Sequence, residues 1–120
     1  MLPSQNRLRR REDFAKVYAN GDRFRGSHLM LRVLVTQAEP DIKIGIVVSK
    51  KVSKLAVSRN RFKRQLRAIF RQVLSQLRSQ LKSGLQIVVT VTTQGQPNYQ
   101  QLCDDLMILL KKAKVWQNGS

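Results

Sequence analysis

Residues 44–71 read IGIVVSKKVSKLAVSRNRFKRQLRAIFR. Two hydrophobic periods meet in this stretch. Up to Ser49 the run is short and β-branched, the pattern of a strand. From Ser58, a candidate helix N-cap, apolar residues recur every three or four positions: Phe62, Leu66, Ile69, Phe70, Val73, Leu77 and Leu81. That spacing defines one buried stripe on a long helix, with Lys50–Val57 as the loop before it and Ser83-Gly84 as its end. Leu85–Thr92 (LQIVVTVT) follows as a near-continuous apolar run, the pattern of a central strand covered on both faces. Strand, long helix and strand in succession put a sheet at the centre with helices against it.

The flanks extend this plan. Residues 1–10 read as an extended basic arm. A short helix begins near Arg11, with Glu12 and Asp13 in its first turn, where negative charge suits the positive end of the helix dipole. Phe14, Val17 and Tyr18 form its apolar face and Gly21 is its stop. Arg23–Gly26 is a short strand or a turn. Leu29–Thr36 is a strand; Glu39-Pro40-Asp41 supplies turn chemistry before Ile42–Ser49, so these two strands are expected to form an antiparallel pair. A last helix runs from about Asn98 to Lys114, with Leu102, Leu106, Leu109, Leu110 and Ala113 inward, and 115–120 is a frayed tail. The expected fold class is α+β, in a single domain over 1–120.

Charge decides the class of partner. Lys+Arg number 23 against 7 Asp+Glu, a net charge of +16. Between Ile42 and Cys103 there are twelve cations and no acid, and nine of the twelve fall between Lys50 and Arg71. Like charge at that density repels itself, and a folded protein tolerates it mainly when a polyanion neutralises it; nucleic acid is the commonest such partner. A hydrophobic content of 42% argues against a disordered basic tail. No apolar run approaches the ~18 residues of a membrane span. The N-terminus lacks the apolar core of a secretory signal, and its Arg-rich start runs directly into a patterned helix, unlike a transit peptide. The reading is cytoplasmic. One cysteine, Cys103, excludes an intramolecular disulfide and a thiolate zinc cluster, and among Leu102, Leu106 and Met107 it is a small buried hydrophobe.

Helical geometry sorts the cations. Asn60, Arg64, Arg67 and Arg71 stand at offsets 0, 4, 7 and 11, hence in one narrow stripe, well over ~90° around the helix from the apolar one. Guanidinium forks suit bidentate contact with phosphate oxygens. Arg59 and Arg61 are placed in the first turn, beside the helix N-terminal amides. No acid supplies i, i+4 pairing to relieve the repulsion. A second group, Arg7, Arg9, Arg10, Arg11 and Lys16, lies near Phe14 and Tyr18, rings that can stack the bases of a single strand. Phe14 has equally the spacing of a core residue, so Tyr18 is expected to be the more exposed. The catalytic inventory is poor. His28 stands alone, the pairs Glu12-Asp13 and Asp104-Asp105 are read as first-turn acids, and Asp22, Glu39 and Asp41 are single. Two-metal hydrolysis needs converging carboxylates, and no Gly-rich phosphate loop is visible. No catalytic residue and no protein-bound metal are expected.

The segment SKKVSKLAVSRNRFKRQLRAIFR (49–71), with Arg59-Asn60-Arg61 inside it, resembles the signature of the bacterial ribonuclease P protein subunit. NRLRRREDFAKVYANG (6–21) is similar to that family's opening helix, and IGIVVSKK (44–51) to the strand before the signature. The resemblance implies a four-stranded mixed sheet with three helices and a left-handed βαβ crossover through the long helix, against the handedness of nearly all such connections. It implies that a partner RNA carries out endonucleolytic cleavage of precursor tRNA to make the mature 5′ end, with Mg2+ at the RNA active site. Contacts with that RNA map to Lys50, Lys51, Lys54, Arg59, Asn60, Arg61, Lys63, Arg64, Arg67 and Arg71. A cleft between first helix and sheet, holding the single-stranded 5′ leader, maps to Arg9, Arg10, Arg11, Phe14, Tyr18 and Arg32, with the strand around Leu31–Val33. Arg32 stands where related sequences often carry an aromatic, and Arg11 replaces the usual polar cap before Glu12. The implied partners are the catalytic RNA and precursor tRNA, with no membrane and no small-molecule substrate; the free chain is expected to be a monomer. Charge and length suit a ribosomal protein or general RNA chaperone equally well. A DNA reader is weaker, since the long helix offers only Asn60 and Gln65 as polar base readers and has no turn-helix partner.

Overall fold

The computed structural model describes residues 4–37, 41–48, 56–92 and 95–114. A 3-10 turn at Ser4–Asn6 precedes α1 (Arg11–Asn20), β1 (Asp22–Arg25), β2 (Leu29–Thr36), β3 (Ile42–Val48), α2 (Ala56–Ser79), β4 (Gly84–Val91) and α3 (Tyr99–Lys112). The strands form one mixed sheet in the order β1-β2-β4-β3. β4 runs antiparallel to β2 and parallel to β3. The expected antiparallel pair of β2 with β3 therefore does not form, because β4 lies between them. Leu85, Ile87, Val89 and Val91 are buried on one face of β4 and Val88 on the other, with Gln86 and Thr90 half-buried beside it, so β4 is covered on both faces. A backbone cut off from water on both faces needs hydrogen-bond partners on both edges, and only an interior position supplies them. The parallel β3–β4 pair then requires a crossover, which α2 provides.

Alternation assigns the two faces. Leu29, Leu31 and Val33 of β2, Ile42, Ile44 and Val48 of β3, and Leu85, Ile87, Val89 and Val91 of β4 point to one side. There they meet Phe62, Leu66, Ile69, Phe70, Leu74 and Leu77 of α2 and Leu102, Leu106, Leu109 and Leu110 of α3. On the other side Val88 packs with Val17 of α1 and Leu8, flanked by Phe14, Leu34 and Val47. α2 and α3 thus form one layer and α1 the opposite one.

Several boundaries differ from the expectation. α2 begins at Ala56, so Ser58 is its third residue and not its cap. It ends at Ser79, short of Ser83-Gly84, and Gly84 opens β4. The stripe misled because Leu81 still packs on the core after the helical hydrogen bonds stop; periodicity reports burial, not the last bond of a helix. The cap position of α1 is Arg10, extended at φ −79 and ψ 140, with no side-chain cap bond. Gly21 ends α1 at φ −80 and ψ 156, outside the left-handed region. Space selects that glycine: a Cβ there would stand 2.6 Å from the Val17 carbonyl oxygen and 3.0 Å from that of Val33. α3 starts on a capping box, with the Gln101 amide donating to the Asn98 side chain at 2.9 Å and the Asn98 amide to Gln101 Oε1 at 2.9 Å.

Two polar residues fix the periphery. Asn6 is fully buried and donates from Nδ2 to the Ile42 carbonyl at 2.8 Å, while Leu8 N donates to the Ile44 carbonyl at 2.8 Å. The described part of the basic arm is therefore docked along the outer edge of β3, which would otherwise present unpaired backbone. Asp105, the seventh residue of α3 and not a first-turn acid, is 5% exposed. Its carboxylate accepts from the amides of Ser27 at 2.9 Å, His28 at 3.0 Å and Leu29 at 2.9 Å, which pins the β1–β2 turn to α3. Gly26 is required by that approach, since a Cβ there would lie 2.5 Å from Oδ1. Residues 39–40 and 115–120 lie outside the described residues.

Candidate nucleic-acid interface

The outer side of α2 carries the predicted fence. Asn60, Arg64 and Arg71 are exposed; Arg59, Arg61, Lys63 and Arg67 are half-buried. Phe62, Leu66, Ile69 and Phe70 are fully buried on the opposite side, so the helix cannot rotate its cations away without losing the core. Arg59 and Arg61 are the fourth and sixth residues of α2, so Arg61 stands beyond the first turn. Its Nη2 donates to Gln96 Oε1 at 2.6 Å and its Cζ lies 5.3 Å from the Phe62 ring centroid, which ties it to the segment before α3. Lys50, Lys51 and Lys54 lie outside the described residues.

The fence meets the N-terminal cations at the edge of β3. Arg67 shares a recess of about 190 Å³ with Arg7, Arg9, Phe14, Ile44 and Ile46. Partial burial, and then the Arg7 guanidinium, push the Arg67 pKa below the ordinary arginine value. A neighbouring recess gathers Arg7, Arg9, Arg10 and Lys43, with Asp13 as its acid. Two groups that sequence spacing kept apart thus form one continuous basic seam. Lys43, not among the cations singled out from the sequence, joins this seam, and its place between Ile42 and Ile44 sends it to the face opposite the main core.

The cleft between α1 and the sheet has a floor set by register. Arg23 pairs with Arg32, Arg32 with Val88, and Val88 with Gly45, so one row crosses all four strands. Phe14 packs against Gly45, where a Cβ would come 2.5 Å from its Cε1; the glycine makes room for the ring, which stays half-buried. Tyr18 is 41% exposed, the more open of the two rings, as its spacing implied. Arg32 Cζ sits 4.9 Å from the Tyr18 ring centroid, and its Nη1 donates to the Tyr18 carbonyl at 3.3 Å. Leu31 and Val33 do not belong to the cleft. They point into the main core, 0% and 5% exposed, because neighbours of Arg32 along a strand face the other way. Arg9, Arg10 and Arg11 are exposed around the start of α1.

His28 serves through its backbone, donating its amide to Asp105 and accepting at its carbonyl from Thr92 N at 3.0 Å and Oγ1 at 3.2 Å. Cys103 is half-buried, and burial first and Asp104 second push its thiol pKa up. Among the described residues no three His, Cys, Asp or Glu side chains gather where a metal ion could be held. None of the described helices is long and apolar enough to cross a membrane.

Comparison with known proteins agrees with this fold. The family model for Ribonuclease P matches residues 2–114. The ribonuclease P protein component of Pseudanabaena sp. is 71% identical over 116 residues, covering 96% of this chain and 97% of the relative. That of Microcystis aeruginosa is 39% identical over 118 residues, covering 95% of each. Among solved structures, the Staphylococcus aureus RNase P protein superposes with a TM-score of 0.80 at 26% identity, covering 93% of this chain and 98% of that one. The Thermotoga maritima RNase P protein gives a TM-score of 0.69 at 26% identity over 88% and 96% of the two chains.

Proposed function

This chain belongs to the ribonuclease P protein family, and from that premise we propose that it offers one basic surface to the catalytic RNA and another to the 5′ leader of precursor tRNA. The ribonuclease P holoenzyme is an endoribonuclease in tRNA processing, with the protein as its accessory subunit. The RNA-subunit surface is the α2 fence of Arg59, Asn60, Arg61, Lys63, Arg64, Arg67 and Arg71; Lys50, Lys51 and Lys54, earlier in the same basic run of sequence, are assigned to the same partner. The leader runs through the α1–sheet cleft past Phe14, Tyr18 and Arg32, with Arg9, Arg10 and Arg11 at its entrance.

The observation that carries this reading is the acid-free cationic side of α2, backed by a fully buried apolar side. A row of guanidiniums on a helix anchored by its buried side offsets repulsion between two RNAs that must approach each other, and the helix itself need not reorder on binding. Binding should be steeply salt-dependent, with a slope of about −0.7 to −0.9 per neutralised phosphate. Mg2+ would act at the RNA active site, where it would supply charge neutralisation and an activated water; the role of this chain would be to bring and hold the substrate there. The working compartment is the cytoplasm.

The test is reconstitution. Mixed with its matching catalytic RNA and end-labelled precursor tRNA at low Mg2+, the chain should restore a cut at the mature 5′ end. A ribosomal protein or general RNA chaperone would bind RNA without restoring that cut. Cleavage by the purified chain with no RNA present would overturn the division of labour.

A further inference from the structure

The row Arg23–Arg32–Val88–Gly45 places two arginines side by side on the cleft face, with no carboxylate in the row. We propose that Arg32, backed by Tyr18 and paired with Arg23, is a phosphate-reading residue that grips the backbone of the 5′ leader at this point, leaving the base there unread. The inference rests on the reading that the leader occupies the α1–sheet cleft.

Three features carry it. First, the guanidinium lies over Tyr18, so the ring face turned to Arg32 already holds a cation and is closed to a base. Second, the group is held but not satisfied. Of the five N–H donors of an arginine, Arg32 uses Nη1 toward the Tyr18 carbonyl, and its Nε is buried without a partner. Third, its anchor is a carbonyl in the last turn of α1, the end of a helix that favours a cation, so the fork is oriented before any ligand arrives. Arg23 directly across the β1–β2 pair doubles the local charge, and like charges directly opposite destabilise a strand pair. A neutral base edge relieves none of that repulsion. A phosphodiester relieves it and takes the fork bidentately.

The experiment uses the reconstituted holoenzyme and precursor tRNAs in which single leader linkages are replaced, one at a time, by neutral methylphosphonate. For the unaltered protein, one linkage should weaken precursor affinity about tenfold, the worth of one hydrogen bond to a charged group. Arg32→Gln should lose a similar factor, become insensitive at that linkage, and lower the salt slope of precursor binding by about 0.7. Arg32→Lys should keep the salt slope but not the full affinity. Binding of mature tRNA, which has no leader, should be the same for all three, and that equality also shows that the variants are folded. Arg32→Gln that stays sensitive at every linkage overturns the proposal. So does a loss that tracks a guanine in the leader, which would make Arg32 a base reader. Equal affinity of the unaltered holoenzyme for precursor and mature tRNA would instead remove the leader reading itself, and the inference with it.

Discussion

Removing the Asp105 carboxylate should unfasten the β1–β2 hairpin from α3. In Asp105→Ala three backbone amides lose their acceptor: Ser27, His28 and Leu29. Only the Leu29 amide is fully buried, so it bears most of the desolvation penalty, about 2 kcal/mol; water reaches the other two, which lose about 0.5 kcal/mol each. The expected total is about 3 kcal/mol. At about 2.1 cal/mol/K per residue, 120 residues have an unfolding entropy of about 0.25 kcal/mol/K, so the melting temperature should fall by about 12 °C. Urea unfolding followed by circular dichroism measures the loss, and amide exchange at Leu29 localises it. Gly26→Ala supplies the internal control. With Asp105 present the new methyl collides with Oδ1 at 2.5 Å; in the Asp105→Ala background it has room. The two changes should therefore be less costly together than separately, by about 1–2 kcal/mol in a double-mutant cycle. A loss under about 1 kcal/mol for Asp105→Ala, or strict additivity with Gly26→Ala, would refute the clamp.

Three further expectations can be checked independently. Arg61→Glu and Arg64→Glu should each weaken affinity for the catalytic RNA and flatten its salt dependence while the circular dichroism spectrum is unchanged; unaltered binding in both would remove α2 from the interface. Phe70→Ala, at a ring with no solvent exposure, should lose about 3–5 kcal/mol in urea unfolding, and a loss below that range would mean the site collapses around the cavity. Because burial and Asp104 raise the Cys103 pKa on folding, the thiolate is less populated in the native than in the unfolded chain near pH 8. Iodoacetamide should therefore alkylate the native protein more slowly than the urea-unfolded one, and the thiol's contribution to stability should decline as pH rises above its unfolded value of 9.0. Equal rates in the two states would contradict that shift.

Much of the fold is legible in local pattern. The α2 stripe from Phe62 to Leu77, the doubly buried β4 and the inward face of α3 each repeat a hydrophobic period within one element, and a period states which side is buried. The guanidinium fence is legible for the same reason, because the side opposite a buried stripe must face out. Boundaries were harder, as Ser58 and Leu81 illustrate: a cap-type residue or an apolar residue near a helix end carries no information on where the hydrogen bonds begin or stop.

The sequence by itself thus determined the class of elements, the faces they bury and the polyanionic nature of the partner, since these follow from spacing and from uncompensated charge. The family resemblance already implied the parallel pairing of β3 with β4, but only the tertiary structure decided that β4 stands between β2 and β3. β2 and β3 are close in the chain, yet β4 separates them, because an interior place is worth most to the strand covered on both faces. It also decided which cations share a surface: Arg67 with Arg7, and Arg32 with Arg23 and Tyr18. The same holds for Asp105, Asn6 and the glycines at 26 and 45, whose reasons lie in partners far along the chain. A contact between distant residues leaves no periodic trace in either one's neighbourhood, so it becomes readable only when the sheet has closed.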